Sequence, residues 1–145
     1  MRTGIALGSN LGDRYARLTH AVEALRKIHE QGDFLVSSFH ETEPDNCPPK
    51  SPKFLNAVLE LETSLEPQAL LGRLQSLERE AGRSEKHGFH TPRTLDLDIL
   101  YYGTTILDTP GLQLPHPRMT ERPFVMTPLA EIRPDLIPRK EFVSC

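Results

Sequence analysis

Two carboxylates separated by one residue, Asp96 and Asp98, interrupt the otherwise apolar run Thr94-Leu95-Asp96-Leu97-Asp98-Ile99-Leu100. On an extended strand successive side chains point to opposite faces, so both acids share one face while Leu95, Leu97 and Ile99 take the other. Residues two apart lie about 6.6–6.8 Å apart along the strand. Ionised carboxylates held side by side repel, and at least one pKa rises unless cations intervene. Magnesium relieves that repulsion, because it takes carboxylate oxygens together with substrate phosphates. Two such ions about 3.5–4 Å apart clamp a polyphosphate. Asp-x-Asp alone fits equally well the solvated face of an edge strand or two surface salt bridges. Its surroundings favour chemistry: Asp is disfavoured in strands, and Arg93 and Arg83, just upstream, are the residue type that clamps phosphate.

The elements that must position these groups are legible from periodicity. Thr3 to Leu7 reads as a short buried strand closed by Gly8. Ser9 to Gly12 is a strand-to-helix turn and not a Walker A loop, since no Gly-Lys-Ser/Thr follows. Asp13 is placed to cap the helix that begins at Arg14, with Leu18, Val22, Leu25 and Ile28 at helical spacing. Phe34 to Phe39 and Phe54 to Leu61 are strand candidates, separated by a loop punctuated by Pro44, Pro48, Pro49 and Pro52. Pro67 opens a second helix with Leu70, Leu74, Leu77 and Ala81 as its apolar stripe and Gly82 as its stop. Thr94 to Tyr102 is the clearest strand. Short apolar pieces follow, at 106–107, 112–114 and 124–126, with one or two helical turns expected over Thr127 to Ile132. The order strand, helix, strand, strand, helix, strand predicts an α+β, ferredoxin-like three-layer sandwich. Its sheet is mainly antiparallel with helices on both faces, and the strands after Tyr102 are expected to extend it.

Composition sets the bounds. A chain of 145 residues, 37% hydrophobic and 26% charged, suits one globular domain over 1–145. A net charge of -3 implies no general pull toward nucleic acid or an acidic membrane, so an anionic substrate needs local arginines and metal ions. No apolar run approaches the roughly 20 residues of a membrane helix. No signal peptide is evident at the N-terminus, and Cys47 and Cys145 lack CxxC spacing. A cytoplasmic, monomeric protein with free thiols is the expectation.

Pro92-Arg93-Thr94-Leu95-Asp96-Leu97-Asp98-Ile99 resembles the signature of the hydroxymethyldihydropterin pyrophosphokinase family of folate biosynthesis. The likeness extends over nearly the whole chain. It includes Ala6-Leu7-Gly8-Ser9-Asn10-Leu11-Gly12, Phe54-Leu55-Asn56-Ala57, Leu114-Pro115-His116-Pro117-Arg118-Met119 and Arg122-Pro123-Phe124. The resemblance implies transfer of the β,γ-pyrophosphate of ATP, as co-substrate, to the hydroxymethyl group of 6-hydroxymethyl-7,8-dihydropterin, with release of AMP. It assigns two Mg2+ ions to Asp96 and Asp98, and phosphate contacts during the reaction to Arg83 and Arg93. ATP contacts fall on Gln75, Glu78, Arg93, Ile99, His116 and Arg122. Pterin contacts fall on Phe54 and Phe124 as the two sides of a sandwich, on Asn56 at the ring's amide edge, and on backbone near Thr42 and Pro44. The expected proton acceptor is Asp98 or a metal-bound hydroxyl.

Away from the resemblance each of these residues has a plainer role: loop solvation for the arginines, a solvated helix face for Gln75 and Glu78, and core packing for the phenylalanines. The chain also departs from the family pattern. It has no tryptophan, and His90-Thr91 stand where Trp-Gly usually precedes Pro-Arg. Glu85 stands where an arginine commonly reaches ATP, Phe54 replaces a common tyrosine, and the chain ends soon after Ile137. Three rivals follow: a non-catalytic nucleotide- or pterin-binding relative, another metal-dependent transferase such as a nucleotidyltransferase, and a structural module.

Overall fold

A computed structural model describes residues 1–10, 13–42, 54–81 and 95–136. The main sheet contains β1 (Arg2–Ser9), β2 (Leu35–Val36), β3 (His40–Thr42), β4 (Phe54–Glu62) and β5 (Asp96–Tyr102). Its order is β2-β4-β1-β5, with β3 also on β4, and every neighbouring pair is antiparallel. Helices α1 (Arg14–Arg26) and α2 (Pro67–Glu80) cover one face, and α3 (Pro123–Ile132) covers the other. This is the expected α+β sandwich, with β1 central and β5 at an edge.

The alternation of side chains decides which face is which. Ile5, Leu7, Leu55, Ala57, Leu59, Leu61, Leu97 and Ile99 form one core with Leu18, Leu25, Leu70 and Leu74 from the two helices. Burying such side chains contributes about 1.5–3 kcal/mol each. Asp13 caps α1 as expected, its carboxylate accepting from the Ala16 amide at 3.0 Å, and Pro67 occupies the first turn of α2. The helix stop expected at Gly82 lies outside the described residues.

The opposite face is different in kind, because beyond Arg2 at its start β1 presents only the small residues Gly4, Ala6 and Gly8 there. Across the sheet, Gly8 lies between Asn56 and Asp96, Ala6 between Val58 and Asp98, and Gly4 beside Glu60 and Tyr101. A trough results, roofed by α3 through Val125, Met126 and Leu129 against Val58 and Leu100. At one end of the trough the Tyr101 ring lies on Gly4, where an added Cβ would come within 2.2 Å of it. The register of β5 shifts by one residue here, turning both Leu100 and Tyr101 toward α3.

Three expectations are corrected. The strand predicted over Phe34 to Phe39 shrinks to β2, with β3 starting just beyond it, because the five residues from Val36 to His40 lie opposite only four on β4, from Leu59 to Asn56. The extra residue makes a bulge. The short apolar pieces after Tyr102 do not extend the main sheet among the described residues. They pair with each other as β6 (Leu107–Thr109) and β7 (Leu112–Leu114), a separate two-stranded sheet. The last helix begins four residues earlier than predicted, since Pro123 is a favourable first helical residue. Among the described residues no helix is long and apolar enough to cross a membrane.

Candidate active site

Strand β5 carries Asp96 and Asp98 on the trough side, both partly exposed, while Leu95 and Leu97 are buried on the other. The predicted alternation therefore holds, and the small residues of β1 explain why the acids are reachable. A cavity of about 400 Å³ opens over them. Strand residues Gly8, Phe54, Asn56, Asp96 and Asp98 floor it, while His116, Arg118, Arg122 and Phe124 come from the segment leading into α3. A smaller hollow of about 240 Å³ lies at the edge of β5, lined by Leu71, Ile99, Gly111, Gln113 and Pro117. Asp98 and His116 line both, so the two spaces meet at these residues.

Phe54 and Asn56 alternate on β4 to reach the trough, and Asn56 is buried. Gly8 matters here, because a Cβ at that position would lie 3.1 Å from the Asn56 amide oxygen and 3.9 Å from the Phe54 ring. Phe124 enters from the second residue of α3, and Arg122, which caps that helix, lies with its guanidinium 5.7 Å from the Phe124 ring centre. Phe54 from β4 and Phe124 from α3 thus line one cavity as the two sides of a slot, with the Asn56 amide among its polar groups.

His116 is fixed at its backbone and at its ring. Its amide donates to the Leu100 carbonyl at the β5 bulge (2.7 Å), and Nδ1 accepts from the Arg118 amide (3.2 Å). An accepting Nδ1 places the proton of the neutral ring on Nε2. Burial, followed by the positive charges of Arg122 and Arg118, pushes the His116 pKa below the ordinary imidazole value, with Asp96 pulling weakly the other way. His116 is therefore expected to titrate below about pH 6.5 in the ligand-free protein. Any stability gained from its neutral form is full above the unfolded pKa and is lost as pH falls from there through the lower folded one. The chemical shift of its ring Cε1 proton, followed by NMR against pH, checks this, and a midpoint above that value contradicts it.

Other expected residues stand apart. Ile99 is buried and lines the smaller hollow. Gln75 is exposed on α2, and Glu78 is buried, with Oε2 accepting from the Leu97 amide at 2.9 Å. That bond holds edge strand β5 between its two aspartates, and neither Gln75 nor Glu78 lines the two spaces. The Thr42 backbone pairs with Phe54. Arg83, Arg93 and Pro44 lie outside the described residues, as do Glu85, His90 and the two cysteines.

Several lining residues went unassigned in the sequence. Gly8 has a signal, the alternating Gly4-x-Ala6-x-Gly8 of β1, which reads as a stripe of small residues on one face. Arg118, Glu121 and the hairpin residues Gly111 and Gln113 have none, because only the path of the chain after Tyr102 brings them to the cavity.

Asp96 and Asp98 on one face suit magnesium, which needs few protein carboxylates when phosphates complete its shell. Among the described residues no group of three or more His, Cys, Asp or Glu side chains forms a closed metal cage. A sequence profile of the 7,8-dihydro-6-hydroxymethylpterin-pyrophosphokinase family matches residues 4–134. A 2-amino-4-hydroxy-6-hydroxymethyldihydropteridine pyrophosphokinase of Pseudomonas aeruginosa is 42% identical over 93% of this chain and 82% of its own length. The protein of the same name from Bacillus subtilis is 45% identical over 88% of this chain and 75% of its own. A folate synthesis bifunctional protein of Arabidopsis thaliana is 42% identical over 88% of this chain, which spans 26% of that longer protein. With matches running from β1 past α3, through the aspartate strand and both walls of the slot, the chain belongs to the 7,8-dihydro-6-hydroxymethylpterin-pyrophosphokinase family.

Proposed function

We propose that this chain transfers the terminal pyrophosphoryl group of ATP to the hydroxymethyl oxygen of 6-hydroxymethyl-7,8-dihydropterin, a step of folate biosynthesis. The new bond joins that oxygen to the β-phosphorus. The bond from the β-phosphorus to the oxygen bridging it to the α-phosphorus breaks, and AMP leaves. The observation that carries this reading is the meeting of two spaces at Asp98 and His116. Transfer between two substrates needs both to approach one point from different sides.

In this reading the larger cavity takes the pterin. Phe54 and Phe124 sandwich the ring, Asn56 pairs with its amide edge, and backbone near Thr42 and Pro44 completes the slot. Nucleotide contacts come from Ile99 at the smaller hollow and, beyond the walls of both spaces, from Gln75 and Glu78 on α2, and phosphate contacts from His116, Arg122, Arg83 and Arg93. A neutral His116 ring with its proton on Nε2 serves as a donor to a phosphate oxygen. Asp96 and Asp98 would hold two magnesium ions, which when bound neutralise phosphate charge and align the reacting groups. Asp98, or a hydroxyl held by the metal, would take the hydroxyl proton. The protein's own contribution is positioning and fixed electrostatics. In this reading the chain acts as a monomer, and a cytoplasmic site of action fits a substrate pair that includes ATP.

The test is to incubate the protein with ATP, magnesium and 6-hydroxymethyl-7,8-dihydropterin and to identify the nucleotide product. AMP is expected. ADP would indicate an ordinary kinase, and absence of turnover would indicate a binding protein.

A further inference from the structure

The two walls of the flat slot belong to different elements. Phe54 and Asn56 stand on β4, flanked by β3 at the sheet edge, while Phe124 stands on α3. Strand β3 is only three residues long, and the bulge before it takes the Ser38 amide out of the regular ladder. A backbone donor left so is open to a side-chain acceptor.

Glu131 supplies it. This residue lies seven positions beyond Phe124, two turns along α3 on the same side of the helix. Its Oε1 accepts from the Ser38 amide at 3.0 Å and from the Ser38 hydroxyl at 2.8 Å. Its Oε2 lies 3.0 Å from the same hydroxyl and pairs with His40 Nε2. His40 is in turn the register partner of Asn56, and Thr42 that of Phe54. One carboxylate thus joins the helix bearing Phe124 to the strand that flanks Phe54 and Asn56. Burial opposes ionisation of Glu131, but the Ser38 amide and hydroxyl and the His40 ring outweigh it and hold its pKa below the usual carboxylate range.

We propose that Glu131 is a positioning residue that sets the spacing of the slot by clamping the β2–β3 bulge to α3. It touches no substrate, and it acts through β3 and α3 on the two walls. The proposal rests on the pterin-binding reading of that slot. Glu131 and His40 are partly exposed, so their pairing contributes little to overall stability, and variants are expected to fold.

The experiment compares wild type, Glu131→Ala and Glu131→Gln by steady-state kinetics in both substrates and by amide hydrogen exchange. In Glu131→Ala the KM for the pterin should rise about tenfold, with the KM for ATP and kcat within about twofold, because Glu131 bonds to the segment leading into β3, which flanks Phe54 and Asn56, and to no group on the nucleotide side. Glu131→Gln keeps an oxygen that accepts from Ser38 and should recover most of the loss. Exchange at residues 38–42 should quicken about tenfold in Glu131→Ala. A pterin KM that does not move, or one that rises equally with that for ATP, overturns the proposal. Should Glu131→Ala fail to fold, Ser38→Ala carries the same test, with a rise of about threefold in pterin KM expected. A wild-type protein that forms no AMP would defeat the activity reading alone. Exchange then decides the clamp, and unchanged rates at residues 38–42 would overturn it.

Discussion

Asp98→Asn is expected to abolish formation of AMP while leaving the fold intact. Asparagine has the size of aspartate and the same strand geometry, so packing against Ala6 and the β1–β5 ladder survives. What disappears is one negative charge at the point where the two spaces meet. A pyrophosphoryl group arrives with several negative charges, and each binding cation needs carboxylate oxygens to stay in place. Removing a fixed charge of this kind costs about 4 kcal/mol of transition-state stabilisation, or roughly 10³-fold in kcat. Two measurements check it: AMP formation at saturating substrates, and far-UV circular dichroism with a urea titration. Undiminished AMP production in a folded variant would refute the role given to Asp98. A variant that unfolds would show that the acid serves the sheet and not the reaction.

The second large effect lies at the other end of the same trough and should have the opposite signature. Glu60 is 1% exposed, and it accepts from Arg2 Nε at 2.8 Å, from Arg133 Nη1 at 2.5 Å and from the Tyr101 hydroxyl. Arg133 in turn grips Asp135 through two bonds of 2.9 and 2.8 Å. Burial works against the Glu60 charge, but the Tyr101 hydroxyl and the two guanidinium groups outweigh it and lower the pKa. The same contact and its own burial push the Tyr101 phenol up. Because the carboxyl pKa is depressed in the folded state, its stabilisation is present above the unfolded pKa and is lost as pH falls through the folded one. Glu60→Ala leaves Tyr101 without this acceptor, removes the carboxylate that Arg2 and Arg133 share, and leaves Arg133 with Asp135 alone. Breaking a buried pair costs about 3–5 kcal/mol, and the lower end applies because both arginines reach solvent. A fall of about 3 kcal/mol in unfolding free energy, measured in urea, is expected. Glu60 stands four residues along β4 from Asn56, roughly 13 Å away. At a temperature where the variant remains folded, kcat should therefore stay near wild type. A stability loss below about 1 kcal/mol would show that the network adds no more than an ordinary surface pair.

These two residues illustrate what periodicity reveals and what it conceals. The alternation around Asp96 and Asp98 is local: extended backbone sends every second side chain the same way, so their common face follows from the chain itself. The same rule places Phe54, Asn56, Val58 and Glu60 together on β4, but it does not show that Glu60 is a buried anchor and Asn56 a wall of the cavity. That difference depends on Arg133, 73 positions away in sequence, and on the Tyr101 ring folding over Gly4. The strand predicted over Phe34 to Phe39 failed for a related reason. β-propensity reports a preference for extended backbone, whereas a bulge is set by the register that neighbouring β4 imposes.

The order of the elements, the antiparallel sandwich they build, the capping of α1 by Asp13 and the shared face of the aspartate pair can all be read along the chain. Each of these is decided by interactions within a few residues or by a repeating apolar pattern. That β6 and β7 form a separate hairpin, that Gly8 leaves room beside Asn56, and that Asp98 joins two spaces emerge with folding alone. Folding also brings Glu131 to the Ser38 amide. Those outcomes depend on which distant segments occupy the same volume, and hydrophobic burial is non-directional: it drives the chain to close without naming the partners.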